Sequence, residues 1–582
     1  MEIHMRIYYI AATISFLLIA NAHADTVDDV ITAEMKRRNI PGLSLAIIDG
    51  GKIVKTRGYG VTEKGGKVAV TASTLFQAAS ISKPVTAVGA LHLVEQGKLT
   101  LDADVNTKLT SWKVPDNAFT QDKKVTVRGI LSHTAGLSVS GFPGYTSSAP
   151  KPTLLQVLNG EAPANTAPVR VETIPGSVWN YSGGGYTVLQ QLIVDVTGQP
   201  FPDFMRDTVL TPSGMNDSAY AQPLPVNKIP LAATGHYSNR DAVVGRAHTY
   251  PEMAAAGLWT TPSDLARFVI GVQQSLAGTS NPIISAAMTR EMLTAQKNTG
   301  LGFFLDGTGK RQKFSHSGRN EGFDTFMSAT AETGRGAIIM INTNDNSKML
   351  TRMMMSIAKS YKWLEAVTDA ANDPKPIKAS AVALMRFSGR YELGNGATLA
   401  LSQEKGQLWK MTDGLPDEVY VPIAPTRFYS PSSREQLAFT ADDTGFASSV
   451  VLKSEGEAQN AVRIGPLMHT LTKRADPAPA RTAKLKAAIQ ACAQGGDKMT
   501  SSTLFAAGIK SALGTQPVPQ CAGTKALVFL HEQDVSERAI QRHGSKVSKI
   551  LSYRLKVFDR PTFLLVCLDA DGLIADFSLV DD

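Results

Sequence analysis

Apolar positions recur at helical spacing from Asp28 to Arg38, and then the pattern changes. Ser44 to Ile48 and Lys52 to Gly60 read as two strands, and Asp49-Gly50-Gly51 between them is a hairpin signal. After Phe76 the spacing turns helical again, through Val85 to Glu95. The middle of the chain, to about residue 300, mixes helices with Gly- and Pro-rich loops. Strands return at Lys313 to Ser317, Phe323 to Ala329 and Gly336 to Asn342, and a helix covers Lys348 to Leu364. Strands at both ends and helices between them predict one domain over 25–366. Its antiparallel sheet is built from both termini and carries a helical insertion.

Asp369 to Ser380 is a polar, Pro-containing linker. Beyond it, Phe387 to about Ile464 is rich in short alternating strands, such as Thr398 to Ser402 and Gln407 to Met411. This predicts a small β-barrel or sandwich in a domain over 380–470. A second linker follows at Ala475-Asp476-Pro477-Ala478-Pro479. The remainder, 481–582, opens with helical segments at Thr482 to Ala493 and Leu504 to Leu513. It ends in strands Phe563 to Leu568 and Leu573 to Leu579 around the turn Asp571-Gly572, a small α+β domain. The expected fold class is therefore α/β in the α+β sense, with no long internal repeat.

Composition adds limits. A chain of 582 residues is too long for one core. With 43% hydrophobic and 19% charged residues it is neither disordered nor fibrous. The net charge of +8 comes from scattered Lys and Arg, without a nucleic-acid motif, so no nucleic-acid partner is expected. At the N-terminus Arg6 precedes an apolar run from Ile7 to Ala20, and Ala22-His23-Ala24 offers a cut before Asp25. This is a signal-peptide pattern over 1–24; the run of about 14 residues is short of the ~20 that span a bilayer. An exported protein, periplasmic or secreted, with no integral membrane segment after cleavage is expected. Of the three cysteines, Cys492 and Cys521 are free to pair in an oxidising compartment. Cys567, in the apolar run Phe563 to Leu568, reads as a buried thiol. C-x-x-C, H-E-x-x-H and G-x-S-x-G are all absent, and nothing implies a metal or an organic cofactor.

Three segments carry candidate chemistry. Ser80-Ile81-Ser82-Lys83 fits S-x-x-K, a spacing that also occurs at Ser148/Lys151, Ser356/Lys359 and Ser402/Lys405. Context separates the first: a strand-like stretch, Thr74 to Gln77, hands over there to an apolar helix, and Pro84 is tolerated in a first turn. Residues three apart share a helix face, so Lys83 reaches the Ser80 hydroxyl. The helix N-terminus favours an oxyanion and, with burial, depresses a lysine pKa, so that a neutral lysine accepts the serine proton. The plainer alternative is a capping serine and a solvated lysine. In Asn180-Tyr181-Ser182-Gly183-Gly184-Gly185-Tyr186, Tyr181 follows the turn Pro175-Gly176 and precedes the helical run Val188 to Val196. A phenol there relays a proton to a leaving group; the alternative is a capping turn with an aromatic staple. His316-Ser317-Gly318 lies on a strand and is followed by Arg319. A small residue at 318 lets substrate lie along the strand edge. The Arg319 amide then joins that of Ser80 as an oxyanion hole. Taken alone, His316 reads as a satisfied core histidine.

In this order, Ser80/Lys83, Tyr181 and His316/Gly318 resemble the three signature motifs of the serine β-lactamase and penicillin-binding protein superfamily. The class C-like branch, with its esterases, D-amino-acid peptidases and D-alanyl-D-alanine carboxypeptidases, is the most similar. Leu131-Ser132-His133-Thr134-Ala135-Gly136-Leu137 and the segment Ala255 to Ala266 are also similar to that branch and read as structural. The resemblance covers about residues 27–365. It implies that Ser80 is acylated, that Lys83 is the base, and that Tyr181 shuttles a proton to the leaving group and to the deacylating water. His316 stands where relatives often have lysine, which weakens recognition of a substrate carboxylate. Gly183 stands where many have asparagine. Both departures resemble D-aminopeptidase and esterase members more than β-lactamases. The expected function is hydrolysis of an amide or ester through an acyl-enzyme. The substrate is a small molecule or short peptide: a D-amino-acid-containing peptide or a small ester. β-Lactam hydrolysis is the alternative within this class. A non-catalytic binding protein is the alternative outside it, opposed by the intact motif residues. The barrel segment resembles domains appended to some of these peptidases, which restrict substrate size there, and the last domain resembles a cystatin-like unit. The oligomeric state stays open.

Overall fold

The computed structural model describes residues 27–280, 283–297, 299–345, 348–363 and 374–580. Within the last stretch, 395–397, 405, 413–414, 431–434, 444, 455–456, 493–502, 514–526, 539 and 558–559 are left out. Residues 1–24, expected to be a signal peptide, and Cys521 lie outside the described residues, as does the side chain of Cys492. The chain begins with a helix over 27–38 (α1), strands Gly42–Asp49 (β1) and Lys52–Gly60 (β2), and the short strand Phe76–Gln77 (β3). Helices Ser82–Glu95 (α2) and Gly183–Thr197 (α3) follow, then strand Trp259–Thr260 (β4) and helix Pro262–Leu276 (α4). Strands Phe304–Asp306 (β5), Lys313–Asn320 (β6), Phe323–Thr330 (β7) and Gly336–Ile341 (β8) lead to helix Lys348–Ser360 (α5).

A strand buried on both faces has no reason to alternate. β1 and β8 are apolar almost throughout because they lie in the middle of a six-stranded sheet of order β2-β1-β8-β7-β6-β5. They pair antiparallel, Leu43 opposite Ile341, which joins the two ends of the domain. Leu43, Leu45, Ile47, Ile339 and Ile341 face α1 and α5 through Val27, Ile31, Met349 and Met353. Ala46, Ile48, Ile338 and Met340 face the opposite way, into the larger core with α2, α3 and α4. The β1–β2 hairpin turns at Gly50 and Gly51, both with positive φ (58° and 72°), as a two-residue primed turn requires. α2 is buried from Ser82 to Leu91 and forms the centre of the helical insertion. β3 pairs with β4, Phe76 opposite Thr260, and this bridge anchors the chain just before Ser80.

The chain divides into two compact units at 367/368. In the second, eight strands from Gly389–Leu393 to Glu457–Gly465 close into a barrel around Phe387, Tyr391, Tyr420 and Phe428. A four-stranded antiparallel sheet follows, in the order Val528–Asp534, Lys549–Val557, Arg560–Leu568, Ile574–Val580. The sequence reading separates 380–470 from 481–582. In the structure Ile464 and Met468 share an apolar cluster with Val535, Ile550 and Leu565, and Arg542 bridges Glu392 and Asp576. Cys567 is buried and unpaired, and burial pushes its thiol up to about 12. Among the described residues no helix is long and apolar enough to cross a membrane.

Candidate active site

Ser80 is not inside α2 but in a single 3₁₀ turn, Ala79–Ile81, just ahead of it. The turn is held from several sides. Ala78 N donates to Leu258 O (2.8 Å), and Ser82 Oγ donates to Ala79 O (2.6 Å) while accepting from Leu258 N (3.0 Å). Ala79 has φ 51°, a left-handed conformation that costs a non-glycine residue of order 1–3 kcal/mol and persists only where its surroundings over-determine it. Ser82, the inner serine of the motif, is therefore a structural pin that the sequence reading passed over. Ser80 itself is half-buried.

Lys83 is 2% exposed, and its Nζ donates to Ser80 Oγ (2.9 Å) and to Ala255 O (2.8 Å). Burial lowers its pKa from 10.5 to about 7, so a large fraction is neutral at physiological pH. It lies over the rings of Tyr181 (5.1 Å) and Tyr186 (5.7 Å). Lys151, of a second S-x-x-K spacing, shows the plain outcome instead: it is exposed and donates to the carbonyls of Thr146, Ser147 and Ala149.

Tyr181 is held at Ser80 by the residue that follows it. Ser182 caps α3, its Oγ accepting from Gly185 N (2.9 Å) and donating to Ser138 O (2.8 Å). The capping expected of this segment thus falls to Ser182, and Tyr181 is left facing Ser80, whose hydroxyl partly offsets the effect of burial on the phenol. Burial pushes the phenol up to about 12, so it is protonated at neutral pH. Its ring stacks on Phe304 (6.2 Å, 9°) and packs on His133 (4.3 Å). A Cβ at Gly183 would meet Phe142 Cε2 at 2.8 Å and Ser140 O at 3.2 Å, so a side chain there requires the Phe142 ring to shift.

His316 is 2% exposed, and its Nδ1 donates to Ser317 O (2.6 Å). A carbonyl only accepts, so Nδ1 carries the proton, and Nε2 is a buried lone pair without a partner. Burial, reinforced by Lys83, lowers its pKa to about 3; His316 is neutral. The sequence offers it as a catalytic residue of the third motif or as a satisfied core histidine. It is half of each, with one nitrogen satisfied and the other bare beside Phe304 (5.1 Å) and Tyr181 (6.2 Å).

Gly318 has a reason other than the one the sequence suggests. A Cβ there would meet Ala78 O at 2.2 Å, Thr325 Oγ1 at 2.4 Å and Ala79 Cβ at 3.1 Å. The missing side chain makes room for the turn that carries Ser80, and Thr325 Oγ1 donates to Ala78 O (3.0 Å) across the same contact. Gly318→Ala is expected to lower stability by about 1–3 kcal/mol through overpacking. Chemical denaturation checks this, and an unchanged midpoint would contradict it. Arg319 donates from Nε (2.9 Å) and Nη2 (3.0 Å) to the fully buried Asp324, while Asn320 Nδ2 ties β6 to Gln77 Oε1 (2.8 Å) and Ala256 O (3.0 Å).

Ser80, Lys83, Tyr181 and His316 thus come together, with Gly318 and Arg319 on the adjoining strand. Three further groups join them without a local signal in the sequence: the Ala255 carbonyl, Phe304 and Trp179. Phe304 sits on β5, Phe304 opposite Ser315, and Trp179 packs on both Phe304 (6.3 Å) and Tyr181 (6.5 Å). Among the described residues no group of three or more His, Cys, Asp or Glu is placed to hold a metal ion.

The family model described as Beta-lactamase matches residues 27–362. A penicillin-binding protein of Bacillus subtilis is 23% identical over 445 residues, 71% of this chain and 93% of that protein. Protein flp of Staphylococcus aureus is 24% identical over 374 residues, 61% of this chain and 71% of that protein. Among solved structures, the octameric penicillin-binding protein homologue from Pyrococcus abyssi has a TM-score of 0.48 and 19% identity, covering 75% of this chain and 99% of that one.

Proposed function

As the chain belongs to the Beta-lactamase family, we propose that it is a serine hydrolase that cleaves an amide or ester through an acyl-enzyme on Ser80. The observation that carries this is the 2.9 Å contact between Ser80 Oγ and a buried lysine whose pKa is near 7. Neutral Lys83 takes the Ser80 proton as Oγ attacks the substrate carbonyl carbon. The amides of Ser80 and Arg319 hold the oxyanion. Tyr181, protonated at neutral pH, gives its proton to the leaving group and regains one from the Lys83 ammonium. Water then attacks the acyl-enzyme by the same relay in reverse, releasing the acid and restoring Ser80.

The substrate side is read from charge. His316 is neutral, and two nitrogens of the Arg319 fork are bound to Asp324. Half-buried rings of Trp179 and Phe304 pack on Tyr181, and that of Phe142 lies against Gly183. This neutral, aromatic-walled mouth favours an uncharged or amine-bearing substrate over one that presents a carboxylate. A short D-amino-acid-containing peptide or a small ester fits; a β-lactam or a D-alanyl-D-alanine terminus fits less well. The protein is incubated with a fluorophosphonate and with a fluorescent penicillin, and any adduct is located by mass spectrometry. Turnover of p-nitrophenyl esters, D-alanine p-nitroanilide and nitrocefin is then compared. Labelling of Ser80 and a preference for an ester or the anilide are expected. No adduct on Ser80 with either probe would overturn the hydrolase, and a preference for nitrocefin would restore the β-lactamase alternative.

A further inference from the structure

The loop Leu131–Thr134, read from sequence as structural, lends its carbonyls one after another to the segments around the site. Leu131 O accepts from Gly302 N (2.9 Å), Ser132 O from Thr299 Oγ1 (2.9 Å), His133 O from Asn180 N (2.8 Å) and Thr134 O from Gly176 N (2.7 Å). Two of these partners lie in the turn that delivers Tyr181, and His133 takes the most direct hold of it. Its carbonyl binds the residue before Tyr181. Its ring binds the residue after, Nδ1 accepting from Ser182 N (3.2 Å, buried). The ring then lies against the Tyr181 ring itself (4.3 Å, 36°), which also stacks on Phe304. His133 thus binds the N–H of the residue before Tyr181, the N–H of the residue after it, and the Tyr181 ring.

The residue type fits this task. An acceptor at Nδ1 requires the neutral ring with its proton on Nε2. Burial, with Lys83 and His316 nearby, holds the pKa of His133 well below 6.5, so the ring stays in that form. The backbone at His133 is left-handed (φ 59°), a conformation that His and Asn visit more often than most residues. The conformation turns the carbonyl and the ring of one residue toward the two sides of another.

We infer that His133 is a positioning residue that fixes the Tyr181 phenol against Ser80, holding the residues on either side of it, Asn180 and Ser182, and packing on its ring. This rests on the reading of Tyr181 as the proton relay, and the experiment separates the two. Tyr181→Phe, His133→Ala and the double variant are compared for kcat and KM on the best ester substrate, and for fluorophosphonate labelling of Ser80. Tyr181→Phe is expected to lose roughly 10²–10⁴ in kcat, the range of general acid–base help. His133→Ala is expected to lose at least about tenfold in kcat with KM little changed and Ser80 still labelled. In the Tyr181→Phe background the same substitution is expected to cost almost nothing, because the two residues act as one unit. Equal losses in both backgrounds would overturn the positioning role and leave the relay standing. A Tyr181→Phe variant as active as the parent would overturn the relay itself. If His133→Ala does not fold, His133→Asn serves: it tolerates the left-handed backbone and offers an acceptor to Ser182 N, but has no ring. It is expected to keep the fold and recover part of kcat; full parental kcat would count against the ring contact.

Discussion

Ser80→Ala is expected to eliminate covalent labelling and to reduce turnover by on the order of 10⁴–10⁶, the scale seen when a nucleophile is removed from an acyl-transfer site. The structure makes this a clean variant. Ser80 Oγ is held by Lys83 Nζ and Tyr181, and the backbone of its turn is fixed by Ser82, Leu258 and Thr325 rather than by Ser80. Removing one hydroxyl from a half-buried position leaves that scaffold in place, so the melting temperature should stay near that of the parent. Burst-phase labelling with the fluorophosphonate, followed by peptide mapping, reads the result. Turnover above about 10% of the parent would show that another residue carries the acyl group, given the size of such effects in comparable sites.

Replacement of Lys83 should separate activity from stability. Lys83→Met is expected to lower turnover by on the order of 10³ or more, because neither His316 nor Tyr181 replaces it as acceptor of the Ser80 proton near neutral pH. His316 faces the same site but its pKa is about 3, and Tyr181 is protonated up to about 12. In the parent, acylation needs the neutral amine, so its rate should rise about tenfold per pH unit on the acid side of about 7 and level off above it. Lys83→Arg should be as inactive as Lys83→Met, since a guanidinium stays protonated.

The stability effect has the opposite sign. The folded pKa of Lys83 lies below its ordinary 10.5, so between about 7 and 10.5 the unfolded chain binds the extra proton and stability rises with pH. Below about 7 the full penalty of burying the ammonium is present, roughly 4–5 kcal/mol. Lys83→Met removes it but leaves Ala255 O without its donor, a cost of about 1–3 kcal/mol. A net gain of about 1–4 kcal/mol near pH 6, turning into a loss of about 1–3 kcal/mol toward pH 10.5 where only the missing donor to Ala255 O counts, is expected from urea titrations at both pH values. A destabilised Lys83→Met at pH 6 would mean that the ammonium is better solvated in the fold than its burial implies.

Much of this site is legible in the sequence because it is local. Ser80 and Lys83 meet at i, i+3 on one turn, and Tyr181 sits beside its own capping serine. The strand at His316 to Arg319 alternates inward and outward with period two, as the burial of His316, Gly318 and Asn320 shows. The β1–β2 hairpin and the helical centre follow from the same periodicities. The remainder depends on segments far apart in the chain. Ala255, which accepts from Lys83, lies 172 positions away, and Phe304 and His133 reach Tyr181 from segments far from it in the chain. No spacing rule names such partners. The glycines make the point most plainly. From the sequence, Gly318 makes room for substrate and Gly183 lacks an amide. In the structure, Gly318 makes room for Ala78, and the place beside Gly183 is filled by Phe142.

The sequence by itself determined the order of strands and helices, the paired serine and lysine at the start of α2, and the phenol and histidine that follow them. These are properties of residue type and short spacing. Only the tertiary structure decided the protonation states on which the chemistry turns: a lysine near 7, a neutral histidine with one bare nitrogen, and a phenol that keeps its proton. Desolvation is a sum over everything that surrounds a group. For Lys83 and His316 those surroundings come from four separate segments, around Leu131, Tyr181, Ala255 and Phe304, and they do not exist until the chain is folded.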